Sequence, residues 1–386
     1  MGESVYQSKA VRLTAWSVWI ALAIVCNLIT LLETTERSVF PNYRAAVKNW
    51  IAVEPLYNLG GSGFVYAPQA AMVFVPWGIL PKPFGEIVWA WTNLGILAAG
   101  VYRFTRLLST DDRWFLVNSL VSVAMAAGCA RNGQATLIIT GLMILGAADA
   151  GEKRWWRATI LLAIALAFKP VAFVLILLVA AIYPQMLWRL FIGTAVVALA
   201  PYLTHPSHYV TEQFVAFYQN SRVAFGDGET GYWAHLFGML KVAGLDLPSA
   251  IQQAGRVIFA VGTLAVCWLA VKRLPANRGT YYLFAFSNCY LMLFNSRTEG
   301  STYAMLGPVY GLLLAEAWFQ GPRTSTTVGF VLAIVATVFN FDIARILTPP
   351  PREIWLAPFV CVVVTIYLLF RLSLDLRNHP IARQTT

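Results

Sequence analysis

The sequence predicts an all-α polytopic membrane protein, folded as one domain of about twelve transmembrane helices. Three observations carry this. Of 386 residues, 58% are hydrophobic and only 12% charged. A water-soluble core needs far less apolar residue than that, whereas a bilayer solvent calls for it. Apolar runs recur along the whole chain, and crossing a hydrocarbon core of ~30 Å takes roughly 20 apolar residues. Lys and Arg gather at the ends of those runs. The net charge of +10 is therefore read as a topology signal and not as a basic face for nucleic acid.

In chain order the runs lie near 13–32, 84–102, 113–130, 135–149, 157–168, 171–184, 189–203, 254–271, 279–294, 303–319, 325–341 and 355–370. Those at 157–168 and 171–184 are the shortest for a crossing. The first run, Leu13 to Leu32, exceeds a signal-peptide core and lacks an obvious cleavage site, so it is read as a retained helix. Five cysteines, Cys26, Cys129, Cys267, Cys289 and Cys361, sit in or beside apolar runs without CxxC spacing. Neither a disulfide nor a metal site is expected from them.

Charge placement sets the orientation. With Lys9 and Arg12 in the cytoplasm, alternation gives basic residues to every inside connection. These are Arg103, Arg106 and Arg113; Lys153, Arg154 and Arg157; Arg189; Lys272, Arg273 and Arg278; Arg323; and Arg371, Arg377 and Arg383. That pattern follows the positive-inside rule. It predicts a plasma (inner) membrane protein with both termini cytoplasmic. The outer side carries both signs, including Glu33, Glu36, Asp227, Glu229, Glu299 and Glu353.

The pattern holds only if the apolar stretch Phe64 to Pro81 does not cross. Pro68, Pro76 and Pro81 interrupt it, which a clean spanning helix avoids. It is read as interfacial or re-entrant, with Tyr66 and Trp77 suited to the headgroup layer. Two large outer connections result, at 33–83 and 204–253. Within the first, Asn42 to Ala52 has helical spacing. Tyr43, Ala46, Val47 and Trp50 share one face and Arg44 and Lys48 turn towards the other, as in an amphipathic helix lying along a membrane surface. The tail after Arg371 is basic and reads as frayed.

The unusual polar residues cluster on the outer side: Glu33-Thr-Thr-Glu36-Arg37, Arg131-Asn132-Gly133-Gln134, Lys169-Pro170, Asp227-Gly-Glu229 and Asn295-Ser-Arg297-Thr-Glu299. Polar, irregular backbone near apolar runs is tolerated where it lines a cavity or meets water. Carboxylates at a span's mouth are costly beside lipid, so Glu33 and Glu36 mark either the solvated end of the first span or a functional site. Arg37 is their ion-pair partner or a phosphate ligand. Lys169 either snorkels to headgroups or neutralises a lipid phosphate. Arg297 and Glu299 form a loop-closing pair or act separately. Gln134 is a helix cap or a ligand to a sugar hydroxyl. Asp227-Gly228-Glu229 reads as a turn. His205 and His208 flank Pro206 without an acidic neighbour, so no metal site is read there. No dinucleotide fingerprint, phosphate loop, HExxH or GxSxG element has usable context. No DxD motif argues for a metal-bound nucleotide sugar.

Taken in order, several short pieces form a pattern. They are Tyr43-Arg-Ala-Ala46, Pro55-Leu-Tyr57, Phe64-Val-Tyr66-Ala-Pro68, Leu80-Pro81, Asn132-Gly-Gln134 and Phe168-Lys169-Pro170. The pattern resembles the GT87 family of polyprenyl-phosphate-dependent mannosyltransferases, within the GT-C glycosyltransferases. The resemblance implies a GT-C-like helix bundle and a sugar donor carried on polyprenyl phosphate, mannose by analogy. It also implies a glycolipid or glycan acceptor, extracytoplasmic chemistry, and a catalytic carboxylate in the first outer loop. Members often carry an Asp a few residues before the tyrosine of the YxxA piece; here Ser-Val-Phe-Pro-Asn precedes Tyr43, with no acid. Glu36 leads as the base, Glu33 is second, and Glu299 is the third candidate. Arg37, Lys169 and Arg297 are candidate donor-phosphate ligands. Tyr43, Tyr66, Asn132 and Gln134 are candidate sugar or acceptor contacts. No cofactor is expected, and dependence on a divalent metal is left open. A lipid-linked sugar flippase should show inverted halves with paired broken helices, and an acyltransferase should place a His within a span; neither pattern is evident.

Overall fold

A computed structural model describes residues 2–32, 38–58, 63–225, 233–320 and 324–378. Among these the chain is all helical, with seventeen α-helices. They are α1 (Gly2–Leu31), α2 (Phe40–Ala52), α3 (Pro68–Gly78), α4 (Phe84–Leu108), α5 (Asp112–Arg131), α6 (Thr136–Gly151), α7 (Trp155–Phe168), α8 (Phe173–Ile182), α9 (Pro184–Thr204), α10 (Ser207–Phe225), α11 (Leu236–Val242), α12 (Ser249–Arg273), α13 (Ala276–Phe294), α14 (Gly307–Phe319), α15 (Thr324–Val338), α16 (Asn340–Leu347) and α17 (Leu356–Asn378). Two 3-10 turns, Pro170–Ala172 and Gly300–Leu306, precede α8 and α14.

Each of the twelve apolar runs falls on a helix. Six helices are long and apolar enough to cross a bilayer: α1 from Ser8, α4, α5, α9, α12 and α17. A seventh is the pair α15 and α16, if taken as one span bent by 85°. Several apolar helices of this kind mark a membrane protein. Of the helices that carry the remaining runs, α13 has 19 residues but is too polar to count by composition, and the others are shorter. α6 has 16 residues and α7 has 14, which rise ~24 and ~21 Å against a core of ~30 Å. α6 is buried nearly all round, packed among α4, α7 and α13. An interior helix reads as apolar as a lipid-facing one, so hydropathy alone does not separate full-length spans from shorter buried helices.

Small residues let the inner helices approach closely. At the α4–α6 crossing a Cβ on Gly141 would lie 2.4 Å from the Ile96 carbonyl oxygen, and one on Gly100 would lie 2.9 Å from Gly141 Cα. At the α5–α14 crossing a Cβ on Gly311 would meet Asn118 Oδ1 at 2.3 Å. Asn118 also donates to Thr105 Oγ1 at 3.0 Å, joining α4 to α5. Close backbone contact and interhelical hydrogen bonds substitute for a hydrophobic driving force that lipid cannot supply. α9 and α12 instead expose Phe191, Val196, Leu203, Val257 and Ile258 outward.

Charges separate the two ends of the bundle. At one end, Asp149 is buried and ringed by Arg103, Arg154 and Arg157, the last at 3.2 Å. Glu152 pairs with Arg103 and Arg154, and Asp112 pairs with Arg106. Glu316 accepts from Arg278 at 3.1 Å and Arg371 at 2.8 Å, and Asp375 accepts from Tyr282 at 2.8 Å. These basic residues are ones the sequence places in inside connections. Some acidic partners are local, as for Arg106 and Arg154, and others come from distant helices, as for Arg103, Arg278 and Arg371. The opposite end holds the start of α4, the α5–α6 turn, the α7–α8 break and the segment after α13.

α2 presents the predicted face, with Phe40, Tyr43, Ala46, Val47 and Trp50 buried. That face packs on protein, against α3 and the rings of Phe74 and Trp89. α3 has 11 residues with Pro76 inside, a rise of ~16 Å that does not span the core. Trp77 and Tyr66, placed by their sequence in the headgroup layer, turn inward. Trp77 packs on Trp89 and donates to Thr92, and Tyr66 bonds to Tyr43.

Candidate active site

Four separate segments converge at the end of the bundle away from the Asp149 and Glu316 ion pairs. The α5–α6 turn is the first. Gly133 takes a φ of +64°, a left-handed conformation that costs glycine little. The turn is then pinned by its carbonyls: Asn132 O accepts from Val39 N at 2.9 Å, Gly133 O from Trp89 Nε1 at 2.8 Å, and Gln134 O from Asn93 Nδ2 at 2.8 Å. Gln134 caps no helix. Its Nε2 donates to Glu299 Oε2 at 3.4 Å, and its Oε1 lies 3.0 Å from the buried Cys129 Sγ.

Lys169 occupies the α7–α8 break. A residue before proline is driven out of the helical region, and Lys169 is extended at φ −156°, ψ 139°. Phe168 beside it is buried against Phe74 and Trp89. The half-buried Lys169 places its Nζ 5.8 Å from the centre of the Tyr66 ring. Tyr66 in turn shares a 3.0 Å hydrogen bond with Tyr43, and Tyr57 donates to the Tyr66 carbonyl at 2.6 Å. Burial, with Tyr66 beside it, holds the Tyr43 phenol well above its usual range, so it stays protonated.

The segment after α13 supplies the charges. Asn295 Nδ2 donates to the Arg297 carbonyl at 3.0 Å, and Ala234 N donates to the Thr298 carbonyl at 2.8 Å. This folds the segment back and leaves Glu299 exposed. Arg297 does not pair with Glu299; its guanidinium lies over the Trp233 ring at 4.7 Å. No carboxylate lies within ion-pair distance of Lys169 or Arg297 among the described residues.

These groups line one cavity of about 440 Å³, within the range of small-molecule sites. Tyr43, Tyr66, Gln134, Lys169, Arg297 and Glu299 all border it. Asn132 does not; its carbonyl shapes the neighbouring turn. Glu33, Glu36 and Arg37 lie outside the described residues, as do Asp227 and Glu229. Val39, two residues beyond Arg37, lines the cavity. Asn42, Asn220, Ser221 and Thr302 are further polar lining residues that the sequence reading did not single out. They lie on helices and a 3-10 turn, without the break or charge that flagged the others. His205 stacks on Trp50 at 4.2 Å and meets Thr204. No group of three or more His, Cys, Asp or Glu side chains gathers as a metal-binding cluster among the described residues.

The arrangement can do two things chemically. Two cations with no carboxylate partner among the described residues can stabilise an anionic oxygen. A carboxylate held by an amide at their side can take a proton. Phenols, amides and hydroxyls around them offer donors and acceptors to a polyol.

No curated protein matches the chain. Residues 64–296 match the profile of glycosyltransferase family 87. The match covers more than half of the chain and includes the α5–α6 turn, the Lys169-Pro170 break and α13. The chain belongs to glycosyltransferase family 87 and is a membrane glycosyltransferase.

Proposed function

We propose that the protein transfers a sugar, mannose by family analogy, from a polyprenyl-phosphate donor to a lipid-linked or glycan acceptor, with inversion. The reaction runs on the extracytoplasmic face of the plasma membrane. The chain crosses about twelve times, its shorter helices included, with both termini cytoplasmic. The observation that supports this reading is the cavity that sets Lys169 and Arg297, without carboxylate partners among the described residues, beside Glu299 and Gln134.

The acceptor hydroxyl attacks the anomeric carbon from the face opposite the phosphate. The carbon–oxygen bond to phosphate breaks, and its electron pair leaves with the phosphate oxygen. The ring passes through oxocarbenium character as in glycoside hydrolysis. Lys169, Arg297 and Arg37 hold the departing phosphate, and its growing charge is stabilised most where water is excluded. Tyr43, Tyr66 and Gln134 orient the sugar or acceptor. The base is a glutamate. Glu299 borders the cavity, and Glu36 and Glu33 lie in the short segment leading to its Val39 wall.

The test incubates purified protein with polyprenyl-phosphate mannose and a panel of glycolipid acceptors, alongside Glu36→Gln, Glu33→Gln and Glu299→Gln. Loss of the base should lower kcat by about 10²–10⁴-fold, with the donor's KM little changed. Wild-type rates in all three variants overturn the base assignment. A wild-type protein that consumes no lipid-linked sugar, yet moves one across vesicles, makes a flippase the better reading.

A further inference from the structure

A second concavity lies between α2 and α3. Its volume is about 410 Å³, and it shares no lining residue with the cavity above. Its floor is Val47 and Gly78, which touch so closely that a Cβ on Gly78 would lie 2.6 Å from Val47 Cγ2. Arg44 and Lys48 stand on the α2 wall, one turn apart, and no Asp or Glu lines the groove among the described residues.

Arg44 is in an unusual state. Its Nε and Nη2 are buried and have no hydrogen-bond partner. Phe40 lies beneath the guanidinium at 5.7 Å. Gly85 makes room for it, since a Cβ there would come within 2.8 Å of Nη2. A buried donor left unpaired is costly, and a charged one more so. Nε and Nη2 together form one edge of the guanidinium, the two-pronged edge that fits two oxygens of one phosphate. Lys48 adds an exposed ammonium. Beside these charges, Ile51 and Ile79 are 56% and 59% exposed. A soluble anion would use the charges and leave those aliphatic side chains in water. A lipid phosphate uses both.

We propose that the α2–α3 groove binds the phosphate of an anionic bilayer phospholipid. Arg44 turns its covered Nε–Nη2 edge out to two of the phosphate oxygens, which relieves the unpaired burial, Lys48 supplies the second positive charge, and the acyl chains lie along Ile51 and Ile79. Basic pockets of this kind hold anionic headgroups at membrane surfaces. The donor's phosphate is read to another set of residues in another cavity, so this site serves bulk lipid and seats the α2–α3 hairpin on the membrane. It stands whether or not sugar transfer is found.

Native mass spectrometry of the full chain from mixed micelles tests it, with phosphatidylglycerol or phosphatidylcholine as the added lipid. The wild type should retain phosphatidylglycerol at least about fivefold over phosphatidylcholine. Arg44→Gln should remove that preference, and Lys48→Glu, at an exposed position, should cut retention about tenfold while the protein still elutes as a single helical species. Lys169→Gln, in the other cavity, should leave retention unchanged. Equal retention of the two lipids, or unchanged retention in Lys48→Glu, overturns the proposal. Displacement of phosphatidylglycerol by equimolar polyprenyl phosphate, in both the wild type and Lys169→Gln, overturns the assignment to bulk phospholipid.

Discussion

His235 ties the α10–α12 connection to pH. Its Nδ1 accepts from Gly238 N at 3.0 Å and so caps α11. Burial, with Arg256 nearby, pushes its pKa down to about 4. A protonated imidazole donates from both nitrogens and cannot accept, so charging His235 removes the cap. The folded pKa lies below the unfolded value near 6.5, and the unfolded chain therefore binds the extra proton first. Stability from this group is present above about pH 6.5 and is lost as pH falls towards 4. Hydrogen exchange at the Gly238 and Met239 amides should quicken between pH 6.5 and 4.5 more than intrinsic exchange accounts for. His235→Asn keeps a capping acceptor and should abolish the excess. None of this was legible in the sequence, where His235 stands in an undistinguished loop. Lys169 was legible, because Pro170 announces the break that brings it to the cavity. Gln134 was half legible: Gly133 signals the turn, but Glu299 as its partner lies 165 positions away along the chain.

Helix crossings make sharper predictions than single side chains do. On α4–α6, Gly141→Ala drives a methyl group into the Ile96 carbonyl, and overpacking of this kind costs about 1–3 kcal/mol. Gly95 on α4 has nothing within 4 Å of where a Cβ would stand. Gly95→Ala should therefore be neutral or slightly stabilising, since glycine weakens a helix by about 0.5–1 kcal/mol relative to alanine. Paired thermal melts in one detergent check this: a lowered midpoint for Gly141→Ala beside an unchanged or raised one for Gly95→Ala. The helices themselves were readable from hydropathy because an apolar run of any origin forms one. Their lengths were not. α6, α7 and α8 read like full-length runs because burial in protein and burial in lipid select the same residues. α2 shows the same ambiguity. Its periodicity gave the apolar face correctly, but the face meets Phe74 and Trp89 and not lipid.

Across the bundle the two ends differ in how charge is matched. One end pairs Asp149, Glu152, Glu316 and Asp375 with arginines or a tyrosine hydroxyl, whereas the other end holds the Arg345–Glu353 pair and leaves Lys169 and Arg297 without a carboxylate in ion-pair distance among the described residues. The basic residues at the first end were visible as a topology signal; their acidic partners were not, since each pairing joins different helices or turns. Single cysteines should report the orientation in sealed vesicles, because all five native thiols are buried and give little background. A membrane-impermeant maleimide added outside should label Ser296→Cys and spare Thr110→Cys. The reverse pattern overturns the topology. The cavity's construction also bears on how the protein is made. Its walls come from positions as far apart as Val39 and Thr302. A nascent chain still on the ribosome therefore carries the Tyr43, Gln134 and Lys169 contributions long before Arg297 and Glu299 have been synthesised. Binding competence must arise late in biogenesis, so a chain truncated before α13 would insert and fold in part yet remain inert.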